Sequence, residues 1–427
     1  MRRTVLLALF SGFAVAACSA PDASSLFASG GAGPGGVTSS GGGEGGAPGE
    51  GGGGGAPGEG GGGGVGAGTG GAGGEGPVIV DPPVCGDTYV DCDADAENGC
   101  EVNVMGDALH CGTCPVACRG SCQEGTCVST RTHATGQRDP VYIAVAGGDL
   151  FWTNGDEGMV MQWSHETDEV SVIASDEVDP AGIKADDTYV FWVSQGRRDP
   201  YTGAVMRWRR GGDEAPAALA AAQTAPFGVA LDDEFVYWTN REGDGDVVRA
   251  RKDGNGNGPF VKIWSGGGVP HGVVVDDTHV YWTVLPQDED EADGRVMAAR
   301  KDSTGEGPFT TIATMQGAVR EIALDGSHVY WTTSRTGTVM RAPKVGGQGE
   351  VTALLTGLPN PRGIAADRTG VYVTDPESVN IIKIWPNGII GAFVAREASP
   401  YGIALDAERV YWTNGLGSNG TIESAPK

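Results

Sequence analysis

Between Arg3 and Arg119 the chain has no lysine or arginine, and before Trp152 it has no tryptophan, although ten tryptophans follow from there. A first third without tryptophan and with few other aromatic side chains cannot bury enough surface to form a sizeable core, so the core lies in the C-terminal two-thirds. Cations are scarce throughout: 29 Lys+Arg stand against 55 Asp+Glu, a net charge of -26. Phosphate backbones and anionic lipid surfaces are bound through clustered Lys and Arg, so nucleic acid is excluded as a partner. No apolar run is long enough to span a bilayer, the nearest being Val5 to Val15. Histidine is sparse too, six in all, and no triad or metal-ligand cluster emerges from their spacing. No cofactor and no metal are therefore expected.

What the first third does contain reads as an address and a tether. Arg2 and Arg3 precede the apolar stretch, and Ala16 and Ala17 precede Cys18, the pattern of an export signal over residues 1–17. Val15-Ala16-Ala17-Cys18 resembles the lipobox of bacterial lipoproteins, which implies acylation of Cys18, a lipidated N-terminus over 18–29 and contact with a membrane through that anchor alone. Ser19 rather than Asp after the cysteine points to the outer membrane or cell surface. Residues 30–77 follow as a tether, with 29 Gly among residues 30 to 76 and nothing to bury, a composition expected to stay disordered.

Residues 78–128 carry Cys85, Cys92, Cys100, Cys111, Cys114, Cys118, Cys122 and Cys127. An even set in a short segment poor in apolar residues needs covalent staples, and export favours four disulfides over zinc. Their connectivity is not legible from spacing. Asp91, Asp93 and Asp95 stand at alternate positions before Asn98-Gly99, but Ala96 and Val102 occupy the places where a calcium loop would have Gly and Glu, so a solvated acidic turn is expected. The string from Asp91 to Cys100, with His110-Cys-Gly-Thr-Cys114, resembles Cys-rich modules of myxobacterial lipoproteins, which implies a surface spacer.

From residue 129 onward a motif recurs: Phe151-Trp-Thr-Asn154, Phe191-Trp-Val-Ser194, Tyr237-Trp-Thr-Asn240, Tyr281-Trp-Thr-Val284, Tyr330-Trp-Thr-Thr333, Tyr372-Val-Thr-Asp375 and Tyr411-Trp-Thr-Asn414, at spacings of 40, 46, 44, 49, 42 and 39 residues. Around each copy lie four short β-branched and aromatic runs parted by Asp, Gly and Asn, as in Pro226–Leu231, Phe235–Thr239, Asp246–Ala250 and Phe260–Trp264. Four antiparallel strands at this period predict an all-β, seven-bladed propeller over 129–427, and a monomer. The seventh repeat stops after its third strand, Thr421 to Ser424; Ser129 to Thr135 precedes Asp139-Pro140 as Ser171 to Ser175 precedes Asp179-Pro180, and is predicted to supply the missing strand. The motifs resemble the YWTD propellers of the low-density lipoprotein receptor family and NHL-type propellers, over about 290 residues. They depart from YWTD propellers in having seven blades instead of six, and Asp375 alone supplies the final Asp.

In such a propeller the innermost strand starts at the face where ligands bind. The residue after the proline position is then Val141, Ala181, Phe227, His271, Arg320, Arg362 and Tyr401, and the longest loops between second and third strands, 194–203, 240–246 and 284–294, open on the same face. The acidic run Asp288–Asp293 within the last loop reads as solvated. Arg320 and Arg362 would hold a carboxylate or phosphate, and Phe227 and Tyr401 would stack on a sugar or an aromatic side chain. The expectation is a cell-surface lipoprotein whose propeller binds a peptide, glycan or protein without catalysis, at Phe227, His271, Arg320, Arg362 and Tyr401. Resemblance to streptogramin lyase-like propellers implies an alternative, a metal-assisted lyase or hydrolase with His271 and Glu321 as acid and base. A purely structural surface protein is the remaining reading.

Overall fold

The Tyr-Trp-Thr-Asn motif forms a strand buried on both faces. In Phe235–Asn240 every residue after the first is buried, because each blade is covered by a neighbour on either side. Trp152, Trp192, Trp238, Trp282, Trp331 and Trp412 are wholly enclosed. Trp238, for example, packs against Ala181, Phe191, Val205 and Leu219 of the preceding blade. The aromatic residues are thus wedges between blades, each contributing on the order of 3 kcal/mol or more.

The computed structural model describes residues 88–90, 92, 102–114, 117–118 and 120–427, except 199, 255, 257, 287–292, 346, 348 and 416. They belong to one compact unit, Pro77–Lys427. The export signal, Cys18, the tether, Cys85, Cys100, the Asp91–Asp95 turn and most of the acidic run at 288–293 lie outside the described residues. Seven antiparallel sheets form the blades, and six take four consecutive strands each, as in Pro140–Ala146, Asp149–Asn154, Met159–Trp163 and Val170–Ala174 of blade 1. Blade 7 has Pro400–Leu405, Arg409–Asn414 and Gly420–Pro426, and its outer strand is Arg131–Gln137 from before blade 1. The ring closes as the sequence predicts, which removes two sheet edges.

The closing strand starts and ends two residues later than predicted, and Gln137 shows why. Its Oε1 accepts hydrogen bonds from Trp152 Nε1 and Asn154 Nδ2 of blade 1, both at 3.0 Å. Gln223 holds Trp238 and Asn240 in the same way. Gln316 accepts from Trp331, and Glu397 from Trp412 and Asn414. Each clamp ties the outer edge of one blade to the buried tryptophan of the next. On the opposite face Asp149 pairs with Arg210 (2.9 Å), Asp186 with Lys252 (2.6 Å), Asp232 with Lys301 (2.5 Å), Asp276 with Lys344 (3.4 Å) and Asp367 with Lys427, again between adjacent blades.

The cysteine-rich segment is joined by Cys92–Cys114, Cys111–Cys122 and Cys118–Cys127. It packs directly on the propeller. Its hairpin, Gly120–Gln123 and Thr126–Ser129, adds to the outer edge of blade 6 through Ser121 and Val394, making a six-stranded sheet. Ala108, Cys111, Cys118 and Cys122 pack with Ala392 and Ala395, and Ala108 N donates to the Ala392 carbonyl at 2.7 Å. Blade 6 is altered to receive it: Pro386 stands where five other blades carry the lysine or arginine of the interblade ion pair, and the preceding Trp385 lies so close to Gly106 that a Cβ there would meet the indole at 2.9 Å.

Candidate functional site at the channel mouth

The residues that line the channel are placed by a recurring irregularity. In six blades the pairing between the innermost and second strands skips two residues, for example between Pro226 and Val229, and between Pro270 and Val273. The skipped pair leaves the ladder and re-aims its side chains, as bulges do. The freed Gly228 N donates to Thr239 Oγ1 (2.9 Å), and Thr239 Oγ1 donates to the carbonyl of His271 in the next blade (2.8 Å). Thr283 likewise holds Arg320, Thr332 holds Arg362, Thr374 holds Tyr401 and Thr413 holds Val141. The buried threonine of five motifs thus fixes the backbone of the next mouth residue, while blade 2 carries Val193 in its place.

One step deeper, five blades carry glycine: Gly182, Gly228, Gly272, Gly363 and Gly402. The reason is close approach, since a Cβ on Gly228 would lie 2.4 Å from the His271 carbonyl and one on Gly402 2.2 Å from that of Val141. Blades 1 and 5 instead carry Tyr142 and Glu321. Their side chains meet in the channel, Tyr142 OH donating to Glu321 Oε1 at 3.3 Å. His271 Nδ1 lies 3.6 Å from the same oxygen. Lys184, two residues further along blade 2, is the one charged residue at a position otherwise held by Ala144, Ala230, Val274, Ala323, Ala365 and Ala404, and it also lines the throat. Free space in the throat is about 80 Å³, room for two or three water molecules.

Of the predicted residues, Phe227, His271, Arg320, Arg362 and Tyr401 gather around this throat, while Val141 and Ala181 offer only small apolar side chains. Arg241, from the loop after the blade 3 motif, joins them with its guanidinium 4.6 Å from the Phe227 ring centre. The other side of the cluster repeats this, with Arg362 5.8 Å from the Tyr401 ring. His271 lies 4.1 Å from Phe227, and Tyr142 meets Phe227 and Tyr401 edge-on at 5.8 and 6.4 Å. The rings of Phe227 and Tyr401 are therefore engaged by the protein's own guanidinium and aromatic groups, and what they present to a ligand is oriented positive charge. Arg320 Nε donates to Ser334 Oγ at 3.1 Å. Arg241 Nε and Arg362 Nε are buried without a hydrogen-bond partner.

Electrostatics follow from this crowding. His271 is 4% exposed, and burial together with Arg241, Arg320 and Arg362 holds its pKa well below 6.5, so it is neutral at pH 7. Burial pushes Glu321 up, against the pull of Lys184, the Tyr142 hydroxyl and the two arginines. Lys184 is pushed down by the surrounding protein and partly restored by Glu321. Burial also lowers Arg241. Among the described residues, the group of three or more His, Cys, Asp and Glu with converging ligand atoms is Cys111, Cys118 and Cys127, all committed to disulfides; His271 and Glu321 have no third such partner.

Arg241 also borders a second depression on the same face. This groove, about 580 Å³, runs between the blade 2 and blade 3 loops and is lined by Asp179, Gln195, Gly196, Arg198, Arg241, Glu242 and Gly243, with Arg198 paired to Glu242 at 2.8 Å.

No protein-family model matches the sequence, and no curated protein does. Solved structures match in fold. A streptogramin B lyase is 13% identical, with a TM-score of 0.55 over 70% of this chain and 97% of that one. A catalytically inactive virginiamycin B lyase from Staphylococcus aureus with quinupristin is 14% identical, with a TM-score of 0.54 over 70% and 98%. A chain of a nidogen/laminin complex is 20% identical, with a TM-score of 0.43 over 56% and 88%.

Proposed function

We propose that this protein is an exported, lipid-anchored binding protein whose propeller captures an anionic ligand at the channel mouth. The observation that carries the reading is a pair of half-buried arginines, Arg241 and Arg362, each with a buried Nε lacking a hydrogen-bond partner, set in a cationic ring on a chain of net charge -26. A buried N–H left unpaired costs about 1–3 kcal/mol, and a ligand oxygen would recover that. Arg320 adds a third charge, and His271, held neutral, adds none. With the throat filled by Tyr142, Glu321 and Lys184, the ligand is held at the mouth and does not pass through. Anchoring at Cys18 and display beyond the outer membrane rest on the N-terminal sequence alone. Titration calorimetry of the full-length chain with small carboxylates and inorganic phosphate tests the reading: binding lost in Arg241→Ala and Arg362→Ala supports it, and undiminished binding or none in the parent rejects it.

A second reading has one observation in its favour, the 3.6 Å approach of His271 to Glu321. A neutral imidazole beside a carboxyl of raised pKa is a proton-transfer pair, suited to a lyase or hydrolase. His271→Ala distinguishes the readings, since it abolishes turnover in the second and leaves anion binding in the first.

A further inference from the structure

We infer that the ligand is a polypeptide held by its free C-terminal carboxylate, with the residues before it lying in the groove beside Arg241. The inference rests on the binding reading above and names its ligand class. Three features select it.

The first is the shape of the charge. A carboxylate is planar and carries one negative charge, which suits the edge of a guanidinium, and the mouth offers two, Arg241 against Phe227 and Arg362 against Tyr401. A phosphate dianion would meet greater repulsion from Glu321 at the throat and from Asp179 and Glu242 in the groove. The second is the engagement of the aromatic rings. A sugar needs an open ring face, whereas Phe227 lies against Arg241 and His271, and Tyr401 against Arg362 and the edge of Tyr142. The third is the groove itself. It starts at Arg241, so a chain whose carboxylate reaches the mouth enters it directly. Its polar lining and the open space over Gly243 suit an extended backbone with few large side-chain anchors. An internal peptide segment lacks the terminal charge, and the closed throat gives it no way through.

The experiment compares ligands on the full-length chain. Random octapeptides with free carboxyl termini, the same library as C-terminal amides, free-acid dipeptides, oligogalacturonate and inorganic phosphate are titrated against the parent protein. Free-acid octapeptides are expected to bind at least about tenfold tighter than amides, and tighter than the dipeptides, because both the carboxylate and the groove contribute. Arg241→Ala is expected to remove about tenfold or more of that affinity and Arg241→Lys to restore part of it. Arg300→Ala, on an exposed pair with Asp302 at the opposite face, is expected to change nothing. Equal binding of acids and amides, or binding of oligogalacturonate or phosphate alone, overturns the peptide terminus while leaving the anion-binding reading intact. Failure of every anionic probe overturns both.

Discussion

The wall of the propeller and its channel are built from the same seven repeats, yet they treat repetition in opposite ways. In the wall the pattern persists: six buried tryptophans, a threonine linking successive blades, and aspartates of one blade paired with cations of the next. At the channel the pattern is broken, by Tyr142 and Glu321 among five glycines and by Lys184 among small apolar residues. The wall needs seven interfaces that are geometrically alike, so deviation there costs stability. At the axis the side chains meet once, so one unusual residue is not multiplied around the ring. Repetition thus encodes the fold, and departures from it mark where chemistry is concentrated.

The largest expected effect breaks the wall. Trp238→Ala removes a fully buried wedge and is expected to cost about 3–5 kcal/mol, read as a lower midpoint in urea unfolding. Phe227→Ala, at the partly exposed mouth, is expected to cost about 1 kcal/mol and to weaken anion binding more than stability. Equal losses at the two sites would erase the distinction between wall and channel.

The next effect comes from a wall position where the pattern changes its chemistry. Glu397 stands where Gln137, Gln223 and Gln316 stand in other interfaces, and burial with the nearby Glu423 pushes its pKa up to about 7, against the pull of Trp412. For an acid raised on folding, the folded state binds the proton more tightly than the unfolded one. Stability is therefore greatest below the unfolded value near 4.5 and falls as pH rises through about 7. Glu397→Gln keeps the acceptor for Trp412 and Asn414 and is expected to gain about 2 kcal/mol at pH 8, discounted for partial exposure, with little change at pH 4. Thermal melts across that range check the sign; an equal gain at both pH values would remove the carboxyl group as the cause.

Blade 6 shows how much of this was legible beforehand. The seven-blade count, the closing strand and the five mouth residues follow from period and spacing, because the residues that make blades interlock are the ones that repeat. The docking of the cysteine hairpin is not in the sequence reading, although two signals were present: Pro386 in place of the interblade cation, and the apolar outer strand Ile390–Ala395, largely buried where other outer strands are partly exposed. Arg241 lay beyond reach for another reason. It sits in a loop of no fixed length, and its contact with Phe227 depends on how that loop folds back. Trp385→Ala would remove the indole that packs on Gly106 of the cysteine-rich segment. It is expected to loosen the cysteine-rich segment by about 1–2 kcal/mol and leave the ring folded, seen as faster proteolysis before residue 129 with an unchanged propeller melt.

The smallest stability effect tests the channel's departure directly. Glu321→Gly gives blade 5 the residue that five other blades carry, so the close approach of the neighbouring carbonyl is accommodated. The added backbone freedom costs about 0.5–1 kcal/mol, and removal of a buried carboxyl with a raised pKa offsets part of it. The net change is expected to stay within about 1 kcal/mol. Binding responds differently, because the one carboxylate inside the throat is gone while Arg241, Arg320 and Arg362 remain. Affinity for a carboxylate ligand is then expected to rise several-fold at low salt, and the gain to shrink as salt screens the mouth. A loss of affinity instead would mean that Glu321 positions the ligand itself, through Tyr142 or His271, and that the break in the repeat serves recognition or proton transfer rather than closure of the throat.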